Sequence, residues 1–87
     1  KMKKTFSEKV LAVVKKILKG HIMIYADVAA KAGNKHAARA VGNILNKNYN
    51  PAIPCHRVIR SDGKLGGYNQ GTKRKRQLLK KEGYLKN

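Results

Sequence analysis

The sequence predicts a small α/β domain, mainly helical and of winged-helix type, with a helix-turn-helix and a short β element. Three observations carry this. Apolar residues recur at helical spacing in four stretches, a Gly-Asn pair separates the second and third of these, and two short β-prone runs lie between helices. At 87 residues the chain supports one modest core and one surface site, and no second lobe.

Thr5-Phe6-Ser7-Glu8 has the spacing of a capping box, and Phe6, Val10, Val13, Val14, Ile17 and Leu18 follow helical periodicity until Gly20. This predicts an amphipathic scaffold helix with its lysines outside. Ile22, Ile24 and Tyr25 form a β-prone entry, after which residues 26–32 read as a small-residue helix ending at Gly33-Asn34. A further helix is predicted over residues 35–46. It places Ala37, Ala40, Val41, Ile44 and Leu45 on one face and His36, Arg39, Asn43, Asn46 and Lys47 outward. The pair of helices outlines a helix-turn-helix whose second member approaches DNA.

Asn48-Tyr49-Asn50-Pro51 is loop chemistry, so Cys55 falls at a loop-to-strand transition. Ser61-Asp62-Gly63 reads as a tight turn into Leu65-Gly66-Gly67-Tyr68-Asn69, where two glycines let the backbone approach a ligand and form one wall of a pocket. Thr72 is expected to cap a last helix running to about Glu82. Leu78 and Leu79 would point inward, with Lys73, Arg74, Lys75, Arg76, Lys80 and Lys81 facing water or phosphate.

Twenty-one Lys and Arg against four Asp and Glu leave a formal charge of +17, spread along the whole chain. Self-repulsion on that scale disfavours a compact state, and a polyanionic partner, above all nucleic acid, accounts for it. Cys55 is the sole cysteine, so no internal disulfide forms, and His21, His36 and His56 are too scattered to suggest a metal site. No apolar run is long enough to span a bilayer, and no signal-peptide core is present. A reducing, cytoplasmic setting is expected. The chain opens on Lys1 rather than Met, which suggests a processed or trimmed start.

Pro54-Cys55-His56-Arg57-Val58 places the thiol beside a base candidate and a permanent cation. A thiol reacts as its thiolate, which a neighbouring imidazole and guanidinium would favour, so the pentapeptide reads as an activated nucleophile.

Several stretches in order resemble the active-site domain of the O6-alkylguanine-DNA alkyltransferases, also called methylated-DNA–protein-cysteine methyltransferases. They are IYADVAAKAGN at 24–34, AARAVGNIL at 37–45, IPCHRVI at 53–59, SDGKLGGYNQG at 61–71 and LLKKEG at 78–83. The resemblance implies one alkyl-accepting and DNA-binding domain over residues 1–87, without the amino-terminal lobe of larger members. It implies no cofactor or metal, because the protein itself accepts the alkyl group. Cys55 matches the acceptor, His56 the residue that takes the thiol proton through a water, Glu82 the acid that orients His56, and Tyr25 the donor to the departing guanine. Arg57 matches a motif residue expected to hold the site and favour the anion. Arg39 resembles an arginine finger that fills the space of an extruded nucleotide. Ala37, Ala38 and Ala40 are small enough for close approach to the minor groove, with Asn34 and Lys35 beside them as DNA contacts. Tyr68 and Asn69 match a wall of the base pocket, Val58 a backbone reader of the guanine edge, and Asn48 a link between recognition helix and cysteine loop.

The implied partner is duplex DNA containing O6-alkylguanine, bound by a monomer, with copies able to bind side by side. Asn69 stands where some members have serine, and the loop from Asn48 to Cys55 is about one residue shorter than in others. Two other readings stand beside transfer. One is an alkyltransferase-like lesion binder without transfer, although such proteins typically carry tryptophan or alanine at the position of Cys55. The other is a helix-turn-helix regulator in which Cys55 is incidental.

Overall fold

A computed structural model describes residues 4–85. Helix α1 (Phe6–Lys15) begins where its sequence supplies a cap: the Thr5 hydroxyl accepts from the Glu8 amide at 3.2 Å, and the Glu8 carboxylate accepts from the Thr5 amide at 2.8 Å. The helix stops short of the expected Gly20. The amides of Lys16 and Ile17 bond back to Val13 and Val14, a tighter closing turn that ends the α-helical ladder. Ile17 remains buried beyond that turn, whereas Leu18, expected on the apolar face, is 69% exposed.

Strand β1 (Met23–Ile24) pairs in parallel with β2 (Val58–Ile59), Met23 opposite Val58 and Ile24 opposite Ile59. This short ladder joins the amino-terminal half to the cysteine segment. Helix α2 (Tyr25–Lys31) follows β1 directly, which sets Tyr25 at its first turn. It ends with Gly33 at φ +104°, where the Gly33 amide bonds to Ala30 and the Asn34 amide to Ala29. That paired closure needs a left-handed residue, and glycine adopts it without a Cβ clash.

Helix α3 (Ala38–Asn46) starts three residues later than the predicted Lys35. Asn34 explains the difference. Its side-chain oxygen accepts from the His36 amide and its carbonyl from the Ala37 amide, so residues 34–37 make a local turn that competes with the helix. Lys35 and His36 are therefore turn residues.

Helices α1, α2 and α3 pack together around Val10, Val14, Val28, Ala29, Val41 and Leu45, and Cys55 and Val58 belong to the same cluster. A second cluster joins Ile59, Leu65 and Leu79 beneath α4 (Thr72–Lys81). Gly71 occupies the N-cap of α4 with no side-chain cap, and Thr72 is its first helical residue, not its cap. The far end closes as α2 does, with the Gly83 amide bonded to Lys80 and the Tyr84 amide to Leu79, which leaves Glu82 at the C-cap. Leu79 is fully buried and Leu78 half-buried. Lys75, expected to face water, has 0% exposure. No helix among the described residues is long and apolar enough to cross a membrane.

Candidate active site

Cys55 opens a 3-10 turn (Cys55–Arg57) that leads into β2, and it lines an open cavity of about 720 Å³ while only 7% exposed. With three residues per turn, successive side chains diverge by roughly 120°. The thiol turns to core and cavity, while the longer His56 and Arg57 side chains both reach Glu82. Asn48 Nδ2 donates to Cys55 Sγ at 2.9 Å. The same asparagine accepts the Asn50 amide on its side-chain oxygen and the Asn69 side chain on its carbonyl, so the end of α3, the cysteine loop and the 65–69 wall meet at one residue. Burial pushes the Cys55 thiol up, against the Asn48 hydrogen bond and the Lys75 charge, which pull it down. The expected help from Arg57 is thus corrected. Its guanidinium is held elsewhere, and the cation that favours the thiolate is Lys75.

Glu82 collects the side chains that follow the cysteine. Its Oε2 lies 2.8 Å from His56 Nε2 and accepts from Arg57 Nη2 at 2.7 Å, while Oε1 accepts from Arg57 Nε at 2.8 Å. Arg57 Nη1 also donates to the Ile17 carbonyl at 2.8 Å, tying the loop after α1 to the site. The Arg57 hydrogen bonds, with those of His56, hold the Glu82 carboxyl down to about 2 against the effect of burial. An ionised Glu82 can only accept, so His56 Nε2 carries the hydrogen of that bond, and Nδ1 is the ring nitrogen left to take a proton. The edge of the His56 ring meets Tyr68 with centroids 6.4 Å apart.

Lys75 is the residue that sequence reasoning misplaced. Its Nζ donates to the carbonyls of Val58 at 2.7 Å, Leu65, and Gly67 at 3.2 Å, and lies 3.4 Å from Tyr25 Oη. Burial brings its pKa down to about 8, opposed by the Cys55 charge. Tyr25 is pushed up by burial and then by the Cys55 charge, so its phenol keeps its proton near neutral pH. The positive charge of Lys75 beside the phenol oxygen leaves the Tyr25 O–H free to donate elsewhere. Gly66 makes room for that phenol: at φ +74°, a Cβ there would stand 3.3 Å from Tyr25 Oη. The Val58 carbonyl, expected to read a base edge, commits a lone pair to Lys75, and Val58 itself is fully buried.

The cavity lies between α3 and the 66–69 wall. Ala38, Arg39, Gly42, Asn43 and Asn46 bound it on one side, Gly66, Gly67, Tyr68 and Asn69 on the other, and Arg60 and Ser61 close an edge. Arg39 is exposed, Ala37, Ala38 and Ala40 are half-buried, and Asn34 and Lys35 are exposed in the preceding turn. Arg60, Ser61 and Gly42 were not singled out from sequence. For Lys75 a signal exists, since it precedes Leu79 by one helical turn and so shares its face; the flanking cations concealed it. Among the described residues no cluster of His, Cys, Asp and Glu could hold a metal ion.

The sequence profile described as "6-O-methylguanine DNA methyltransferase, DNA binding domain" matches residues 5–84. Two curated relatives carry the name methylated-DNA–protein-cysteine methyltransferase. That of Methanothermobacter thermautotrophicus is 47% identical over 79 residues, covering 90% of this chain and 44% of the relative. The one from Rattus norvegicus is 48% identical over 82 residues, covering 91% and 39%. The chain thus spans less than half the length of these relatives. The crystal structure of Mycobacterium tuberculosis OGT in complex with DNA superposes with a TM-score of 0.86 at 39% identity, over 93% of this chain and 50% of that one. S. pombe Atl1, in complex with damaged DNA containing O6-carboxymethylguanine, gives 0.82 at 31% identity, over 90% and 75%.

Two predictions follow from the buried charges. Glu82 has a folded pKa of about 2 against an ordinary 4.5, so its contribution is present above pH 4.5 and is lost as pH falls toward 2. Glu82→Gln should lower stability at pH 7 by about 3 kcal/mol in urea unfolding, with the difference from wild type shrinking across that window. A difference that stays constant down to pH 2.5 would refute the assignment. Lys75→Met preserves volume but leaves three carbonyls without their donor, and should cost about 3 kcal/mol. It should also move the pH of half-maximal Cys55 alkylation by iodoacetamide upward; an unmoved profile would remove Lys75 from the thiolate's environment.

Proposed function

This chain belongs to the 6-O-methylguanine DNA methyltransferase family through that DNA-binding domain, and on this premise we propose that it takes the alkyl group of O6-alkylguanine in DNA onto Cys55 in a single-turnover reaction. The 87-residue chain acts as one alkyl-accepting, DNA-binding domain. The observation that carries the reading is the placement of Cys55 on a cavity bounded by α3 on one side and by Tyr25, Gly66 and Tyr68 on the other. A thiol recessed to 7% exposure cannot reach O6 inside a stacked duplex, so the damaged nucleotide must leave the stack. Helix α3 and the turn before it lie along the minor groove, the small Ala37, Ala38 and Ala40 permitting close approach, with Asn34 and Lys35 on the flanking backbone. Arg39, exposed at the cavity mouth, fills the vacated space.

Within the cavity, Tyr68 and Asn69 hold the base while Asn48 keeps Sγ aligned. His56 Nδ1 takes the thiol proton through an intervening water, and the ionised Glu82 stabilises the imidazolium that results. Sγ then attacks the carbon bound to O6. The sulfur–carbon bond forms as the carbon–oxygen bond breaks, and the electron pair passes to the guanine, whose developing charge is met by the Tyr25 O–H with Lys75 behind it. The thioether is irreversible, and no cofactor enters because cysteine is the co-reactant. The molecule works as a monomer on duplex DNA, and hence inside the cell.

Intact-protein mass after incubation with a duplex carrying one O6-methylguanine should show a single methyl-sized gain, absent in Cys55→Ala. Lesion-selective binding with no gain in mass would instead make the chain a damage binder. Arg39→Ala should slow transfer from duplex by about 100-fold, while transfer from a free O6-alkylguanine base changes little, since only the duplex route requires extrusion. Equal slowing in both assays would remove the finger role.

A further inference from the structure

Helix α4 carries a charge pattern that the fold does not use. Its inner face presents Lys75 and Leu79, both without exposed surface. At 100° per residue, Lys73, Lys80 and Lys81 fall on the opposite side and Arg76 on the flank, and all four are exposed. None pairs with a carboxylate: the ion pairs among the described residues join Glu82 to His56 and Arg57, and Asp62 to Arg60. Lys73 with Arg76, and Arg76 with Lys80, are like charges one turn apart, a spacing that weakens a helix. The first turn of α4 contains no acid and its Gly71 cap gives no side-chain bond, so Lys73 also opposes the helix dipole. Helix α1 begins differently, with Glu8 in its first turn and a closed capping box, whereas both helices carry cations in the last turn, where the dipole favours them. Lys73 and Arg76 are therefore placed against the helix's own stability, and with Lys80 and Lys81 they leave four exposed cations without a protein carboxylate.

We propose that the outer face of α4 binds the phosphodiester backbone of a second duplex, so that one molecule bridges two DNA segments. This rests on the reading of the chain as a DNA binder. From the inner face, the Lys75 ammonium reaches Gly67 and Tyr25, which line the cavity, so the outer face looks away from the mouth where the first duplex docks. A duplex is stiff over roughly 50 nm and does not curl around a body measuring 46 × 25 × 20 Å. Ten residues of α4 extend about 15 Å, the run of about four successive phosphates on one strand, which matches the four cations.

The test mixes the full chain with two short undamaged duplexes, one carrying an energy-transfer donor and the other an acceptor. Anisotropy reports single-duplex affinity in parallel, and sedimentation gives the stoichiometry. One variant combines Lys73→Gln, Arg76→Gln, Lys80→Gln and Lys81→Gln; a charge-matched control combines Lys9→Gln, Lys15→Gln, Lys16→Gln and Lys19→Gln. Glutamine keeps the helix favourable in both. Wild type and control should hold two duplexes per chain, whereas the α4 variant should need about tenfold more protein to bridge, with single-duplex affinity close to that of the control. Equal loss of bridging in both variants would reduce the effect to bulk charge and overturn the proposal. So would a wild type that binds one duplex and never two, or an α4 variant whose salt slope on a single duplex falls by about 3.6, which would put this face on the first duplex. A wild type that binds no duplex at all would overturn the DNA-binding reading itself.

Discussion

The ammonium of Lys75 is the constraint on which the rest of the site depends. A buried cation is tolerated only when its N–H groups find acceptors, and here the carbonyls of Val58, Leu65 and Gly67 converge on it. Those carbonyls come from β2 and from the wall loop, while the lysine comes from α4. One side chain therefore fixes the distance between the strand that follows the cysteine, the loop that closes the cavity and the last helix. Because the same nitrogen also faces Tyr25 Oη, the orientation of the phenol is tied to this arrangement.

Two further polar ties act around the same turn. Asn48 couples the end of α3 to Sγ and to the wall loop, and Glu82 couples the 3-10 turn to α4 through His56 and Arg57. The cysteine is thus gripped from both sides by groups whose own hydrogen bonds are satisfied, and no buried side-chain polar atom among the described residues lacks a partner. A fully satisfied network fixes geometry in a way that apolar packing alone does not. This matters for the proposed in-line displacement, where an error of 1 Å in the sulfur's position costs on the order of 100-fold in rate.

Local signals in the sequence were legible and long-range ones were not. The capping box at Thr5 and the glycine closure at Gly33 involve residues within a few positions of one another, and both form as read. The start of α3 was misplaced because Asn34 bonds to His36 and Ala37, a competition that helical periodicity does not register. The parallel pairing of β1 with β2 brings residues near 23 together with residues near 58, and nothing in either short run specifies its partner. At the site, the PCHRV run located the thiol that lines the cavity, but the cation beside it was sought in Arg57, two positions on. Glu82 holds the Arg57 guanidinium, and the ammonium comes from Lys75, twenty positions away, where it looked like one more member of a basic run.

The economy of a small domain explains this mixing of core and chemistry. Cys55 and Val58 belong to the main apolar cluster, and Lys75 and Leu79 are buried side by side on α4. With so few buried positions, the residues that shape the cavity are also those that hold the fold, so the site cannot loosen without loss of stability. Burial has a chemical consequence as well. It raises the thiol's pKa, so the resting sulfur keeps its proton and stays unreactive until a base removes it. Under the proposed reaction, reactivity is thereby confined to the state in which the proposed proton route through His56 and Glu82 and the cation at Lys75 act together. The outer surfaces of α1 and α4 take no part in this network, and it is there that the exposed positive charge of the helices accumulates.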